Sequence, residues 1–115
     1  LNTAASLAYK AISEMKVLSK RLHGKEETAY GLAGLGDLYV SSAGGRNSKM
    51  GYYLGQGYVF TEAKEKFMKE ITVEGADLAF AIGQKILKEF KKEEFPLLIS
   101  VIEAICENKK LEIKW

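Results

Sequence analysis

Gly31-Leu32-Ala33-Gly34-Leu35-Gly36-Asp37-Leu38, followed by Gly45-Arg46-Asn47 and by Gly55-Gln56-Gly57, is the stretch on which the reading of this chain turns. Eight of the eleven glycines lie between Gly31 and Gly57. Glycine is costly inside an ordinary helix. A cluster this dense is either a loop-rich connection between helices or backbone brought close to a ligand. A dinucleotide fingerprint reads G-x-G-x-x-G between a strand and a helix. Here the order is G-x-x-G-x-G, Asp37 follows directly, and no strand precedes it. The cluster is therefore not a nucleotide-binding βαβ turn, and the fold is set by the segments on either side.

Those segments have a helical period. Leu7, Ala8, Ala11, Ile12, Met15, Leu18 and Leu22 recur at spacings of three and four and predict an amphipathic helix over residues 3–22, ended by Gly24. A short second helix is expected from Glu26 to about Tyr30, a turn over residues 41–46, and one or two helical turns over 47–55 carrying Met50, Tyr53 and Leu54 inward. Thr61 is expected to cap the next helix, with Glu62 in its first turn and Ala63 and Phe67 on its apolar side. Residues 74–91 hold so many small and apolar side chains that they predict a central, heavily buried helix, with Lys88 to Glu94 as its solvated end. Pro96 fits the start of a last helix with Leu97, Leu98, Val101, Ile102, Ile105 and Cys106 inside. The tail from Leu111 to Trp115 alternates, but one strand makes no sheet. The fold class is all-α, in one domain over residues 1–115.

Bulk properties narrow the function. A chain of 115 residues is long enough for one core. A net charge of +2, with lysines scattered among glutamates, gives no case for nucleic acid. Cys106 is the single cysteine, which excludes an internal disulfide and fits a reducing compartment. No apolar run approaches the roughly 18 residues of a membrane span, and no signal peptide is expected. The chain begins at Leu1 with its apolar pattern already running, which suggests a piece of a longer protein.

Taken together, GLAGLGDL, the polar loop, GRN and GYYLGQG resemble the C-terminal domain of the bacterial-type NAD(P)-dependent glycerol-3-phosphate dehydrogenases. Asn2 with the alanine-rich run to Ser13-Glu14-Met15 is similar to a family segment at that spacing, as are Val73-Glu74-Gly75 and Phe95-Pro96-Leu97. The resemblance implies a multi-helix domain similar to the 6-phosphogluconate dehydrogenase C-terminal-like fold. It implies that this domain binds substrate beside an N-terminal Rossmann domain that is absent from the chain. That missing half would bind most of the cofactor, NADH or NADPH.

Arg46 is the leading candidate residue. A guanidinium is a planar fork of donors suited to phosphate and stays charged at all working pH values. Asn47 is placed either to donate to a phosphate or ribose oxygen or to cap a helix. The resemblance implies that Arg46 and Asn47 meet phosphate and ribose groups of substrate and cofactor. Asp37 is placed either to accept from the hydroxyls of a polyol or to satisfy a turn; the resemblance implies the substrate role. Glu74 is either a first-turn helix acid or, as the resemblance implies, a carboxylate near the cofactor ribose, with Thr72 just before it on the cofactor side. Gly45 stands where the family usually has Ser, so the resemblance implies a substrate site that lacks this side-chain hydroxyl to the phosphate, with a backbone N–H as the available substitute, and the loop from Leu38 to Gly45 is short. Asn2 either lines the cleft or caps a helix. The family's general base is a lysine upstream of this chain; neither Lys10 nor Lys16 matches it, and no catalytic base is assigned here. His23 has no metal-ligand neighbours at suitable spacing, and no metal site is expected. Cys106 reads as a core residue, and Tyr52, Tyr53 and Tyr58 as packing and rim residues.

The expected function is the substrate-binding part of a cytoplasmic oxidoreductase of glycerophospholipid metabolism. It would interconvert dihydroxyacetone phosphate and sn-glycerol 3-phosphate with NAD(P)H, as a homodimer, with this piece inactive alone. The alternative is a non-catalytic helical dimerisation or binding module derived from such a domain. A dehydrogenase with the same helical domain and another substrate is a third reading, disfavoured because a substrate without phosphate leaves Arg46 unpaired.

Overall fold

The structure, a computed structural model, describes residues 2–21 and 45–113. Among them are five helices and no strand: α1 (Asn2–Arg21), α2 (Arg46–Gly55), α3 (Phe60–Phe67), α4 (Glu74–Glu89) and α5 (Pro96–Cys106). The all-α reading is borne out. The short helix expected near Glu26, the Gly24 stop, His23 and the glycine string with Asp37 lie outside the described residues.

The centre is α5, which packs against α1 and α4, while α2 packs against α3 and α4. Leu97, Leu98, Ile99, Ser100, Val101, Ile102, Ala104 and Ile105 are all buried, so α5 is covered on every side. The sequence points instead to residues 74–91 as the central element, and the structure corrects this. The small residues of α4 make one buried face, Gly75, Ala76, Ala79, Gly83 and Ile86, while Phe80 and Ala81 face outward. That face lets α4 come close to α5. A Cβ added at Gly83 would lie 2.7 Å from Cys106 Sγ and 3.0 Å from Ile102 Cγ2.

In α1 the buried positions are Leu7, Ala11, Glu14 and Leu18. Ile12, expected inward, is 53% exposed. The reason is that a carboxylate holds the inward position: Glu14 lies on the stripe with Leu7, Ala11 and Leu18, and Ile12 falls about 100° round from Ala11.

None of α2 to α5 has a local side-chain cap. A helix start leaves N–H groups without intrahelical acceptors, and for α3, α4 and α5 distant side chains supply some of them. Glu14 accepts from Leu97 N–H at 2.9 Å and from Leu98 N–H at 2.8 Å, closing the start of α5 behind Pro96. Thr61 does not cap α3: the helix begins one residue earlier, at Phe60, and Thr61 N–H donates to Asn108 Oδ1 at 3.0 Å. At the far end of α1, Arg21 pairs with Glu94 and its guanidinium lies 5.7 Å from the Phe90 ring centre and 5.3 Å from that of Phe95. Gly57 ends α2: its φ is +103°, and Tyr58 N–H to Tyr53 O (3.2 Å) with Gly57 N–H to Leu54 O (3.1 Å) makes a Schellman turn. This glycine serves a helix stop.

Burial pushes the Glu14 carboxyl above its ordinary value of 4.5, against the opposing pull of the two N–H bonds and of Lys10. The folded state then holds the Glu14 proton more tightly than the unfolded chain. The stability Glu14 contributes is fullest below that ordinary value and falls as pH rises through the raised one. Relative to Glu14→Gln, the wild-type chain should lose stability across that window in urea titrations at stepped pH. Glu14→Ala strips two buried N–H groups of their acceptor and should cost about 2 kcal/mol near neutral pH. Gly83→Ala should destabilise by about 1–2 kcal/mol despite its better helix propensity, and a Cys106→Ala background should relieve much of that loss in the same assay.

Candidate functional site

Two helix starts, those of α2 and α4, come together through residues 46–47 and 74–75. Asn47 Oδ1 accepts the Gly75 N–H at 3.0 Å, and Arg46 forms an ion pair with Glu74. Asn47 thus caps the N-terminus of α4, a helix that begins 27 residues after it, rather than its own. Its acceptor oxygen is committed to that role, which leaves the Nδ2 group as the part able to donate to a ligand. Arg46 and Glu74 are more than half exposed, at 57% and 54% of their side chains. An exposed pair of this kind adds little to stability. Each member remains available to exchange its partner for a ligand group.

Gly45 precedes Arg46 as the N-cap of α2, with φ +99° and ψ 150° and its carbonyl accepting from Lys49 N–H at 3.1 Å. That backbone region is essentially restricted to glycine. A serine at this position would be strained in this backbone, although the space around the missing Cβ is open. Thr72 is exposed on the segment leading into α4. Asn2 opens α1, and its side chain, like the whole of Asp37, lies outside the described residues. The structure therefore brings Gly45, Arg46, Asn47 and Glu74 together, with Thr72 on the approach.

Lys64 is a residue the sequence reading passed over. Its ammonium donates to Met68 O at 2.8 Å, Lys69 O at 3.4 Å and Ile71 O at 2.6 Å. The segment after α3 is wrapped round this one cation, and that segment delivers Thr72 and Glu74. A lysine in the last turn of a helix is a common partner for its final carbonyls; nothing in the sequence says that it also holds the three residues beyond.

The tyrosines act as packing. Tyr53 stacks on Phe67 with ring centres 4.3 Å apart, Tyr58 meets Phe67 edge-on at 5.2 Å, and Tyr52 lies at the exposed rim. Cys106 is half-buried and its thiol faces Ala79 O at 3.2 Å. Burial, with the nearby Glu107 charge, pushes that thiol up from its ordinary value, away from nucleophilic chemistry. Among the described residues no group of three or more His, Cys, Asp or Glu side chains could hold a metal ion, and no helix is long and apolar enough to cross a membrane.

The cluster offers a fixed cation, a carboxylate acceptor and an amide donor beside two helix starts, whose dipoles favour negative charge. That set suits a ligand carrying both phosphate and hydroxyl groups.

The family described as NAD-dependent glycerol-3-phosphate dehydrogenase C-terminus matches residues 1–114. The chain is similar to the NADP(+)-dependent glycerol-3-phosphate dehydrogenase of Archaeoglobus fulgidus, 37% identical over 116 residues, covering 96% of this chain and 33% of that protein. It is similar to the glycerol-3-phosphate dehydrogenase [NAD(P)+] of Agathobacter rectalis, 35% identical over 125 residues, covering 96% and 37%. The same-named protein of Chlamydia pneumoniae is 35% identical over 113 residues, covering 96% and 33%. The chain spans about a third of the length of these relatives. No solved structure matches.

Asn47→Ala should cost about 1 kcal/mol in urea unfolding, because the Gly75 N–H loses its acceptor. Asn47→Asp keeps an acceptor oxygen at the same reach and should retain most of that stability.

Proposed function

This chain belongs to the NAD-dependent glycerol-3-phosphate dehydrogenase C-terminal family, and from that premise we propose that it is the substrate-binding part of an oxidoreductase interconverting dihydroxyacetone phosphate and sn-glycerol 3-phosphate. The observation that carries the proposal is the meeting of Arg46, Asn47 and Glu74 at the joined starts of α2 and α4.

In this reading Arg46 grips the substrate phosphate with its donor fork and is close enough to the cofactor side to serve both. Holding a phosphate remote from the reacting carbon fixes the substrate's position, and that binding energy orients the carbonyl for reduction. Asn47 contributes its Nδ2 donor while its oxygen keeps α4 in place. Asp37 takes the hydroxyl end of the substrate. Glu74 accepts from ribose hydroxyls, with Thr72 at the edge of the same side. Gly45 gives a backbone N–H toward the phosphate in place of a side-chain hydroxyl.

The donor and acceptor set at residues 46, 47 and 74 fits a phosphate-bearing, ribose-bearing dinucleotide. NADH or NADPH, when bound, supplies the hydride, and a dinucleotide-binding half N-terminal to this domain holds most of it. A lysine of that half exchanges the proton with the carbinol oxygen. The domain alone is inactive. The assembled enzyme is a homodimer of the cytoplasm whose product enters glycerophospholipid synthesis.

The test is NADH and NADPH oxidation with dihydroxyacetone phosphate by the protein carrying both halves. Arg46→Ala should raise KM for dihydroxyacetone phosphate by about ten- to a hundredfold, the scale of a lost charge-assisted contact, with the helical circular-dichroism signal intact. An unchanged KM removes Arg46 from the phosphate site.

A further inference from the structure

Arg46 is already engaged: its guanidinium forms an ion pair with Glu74. The Asn47–Gly75 bond sits immediately beside this pair and ties residue 74 to the start of α2 through the backbone. Opening the ion pair therefore does not carry Glu74 away, because its main chain stays fastened. Any anion that reaches Arg46 meets a carboxylate whose main chain stays beside the start of α2.

We propose that Glu74 is a specificity-determining residue that makes Arg46 selective for phosphate carried on a hydroxyl-bearing ligand over bare phosphate. This rests on the reading of Arg46 as the phosphate-binding residue. A bare phosphate displaces the carboxylate from Arg46 and then faces its negative charge, with no compensation for Glu74. A phosphate ester with neighbouring hydroxyls satisfies both members. Arg46 exchanges one anion for another, and Glu74 exchanges the guanidinium for O–H donors. The pair is solvent-exposed, so the discrimination has the size of an exposed ion pair, roughly two- to fivefold in affinity.

The experiment follows the backbone amide resonances of Asn47 and Gly75, which every variant keeps, in the 115-residue chain by NMR, together with the Arg46 Nε–Hε resonance where that residue is present. Inorganic phosphate and D-ribose 5-phosphate are titrated into wild type, Glu74→Gln and Arg46→Ala. Gln keeps the size and hydrogen-bonding reach of Glu and removes its charge. The expected result is that Glu74→Gln binds inorganic phosphate about two- to fivefold more tightly. D-ribose 5-phosphate gains nothing or weakens, so the preference for the ester shrinks. Glu74→Ala should tighten inorganic phosphate in the same direction. If Arg46 responds to phosphate equally in wild type and Glu74→Gln, the selectivity role falls and the phosphate site stands. If no variant shows a response that depends on Arg46, the phosphate site falls and the selectivity with it.

Discussion

A single carboxylate, Glu14, ties α1 to the start of the central helix α5. It reaches from α1 to the start of α5 and accepts two backbone N–H groups there. Because α5 is buried along most of its length, its N-terminal amides are buried with it and need an acceptor from the protein itself. Proline removes one N–H at the first helical position, and Glu14 takes the next two. The carboxylate also complements the positive end of the helix dipole. With that junction made, α1 and α4 have a fixed body to pack against, and the α4 face of Gly75, Ala79 and Gly83 can approach it closely.

The same device recurs where the chain's chemistry is expected. Asn108 serves α3 and Asn47 serves α4, each across a long span of sequence. At α4 the bond does two things at once. It completes the helix, and it sets Arg46 beside Glu74, so the geometry of the candidate site is a by-product of helix capping. Lys64 works from the other side, gathering carbonyls of the segment that leads to Thr72 and Glu74. Positions 46, 47 and 74 thus owe their proximity to polar bonds from side chains distant in sequence as well as to the buried Met50, Leu54, Val73 and Ala76 beneath them.

Helical period was legible, and so was the family. The stripe of Leu7, Ala11 and Leu18, the Pro96 start and the glycine–arginine–asparagine run all carry local signals that survive in the folded state. Two of the misreadings share one cause. Thr61 reads as a cap because capping is normally local, and Ile12 reads as inward because an apolar residue outranks an acid on any hydropathy pattern. Both fail here for the reason that the caps come from far away: Asn108 leaves Thr61 inside its helix, and Glu14 takes a core position. The burial of α4 was overestimated from its many small residues, which permit close approach on one face without demanding burial on all. Pairing Arg46 with Glu74 required knowing that two helix starts meet, and no spacing rule encodes that.

Capping at a distance also bears on the order of events during synthesis. Glu14 lies 83 residues before the Leu97 amide it accepts from. Helix α5 has 11 residues and α3 has 8, too short to persist alone in water. Neither is completed until its remote partner is in place, and for α5 that partner is made first and then waits. A nascent chain emerging from the ribosome would hold α1 with an acid on its apolar stripe and nothing to receive it. The junction between α1 and α5 can therefore close only after the segment around Pro96 has been made, whatever the order in which the separate helices form.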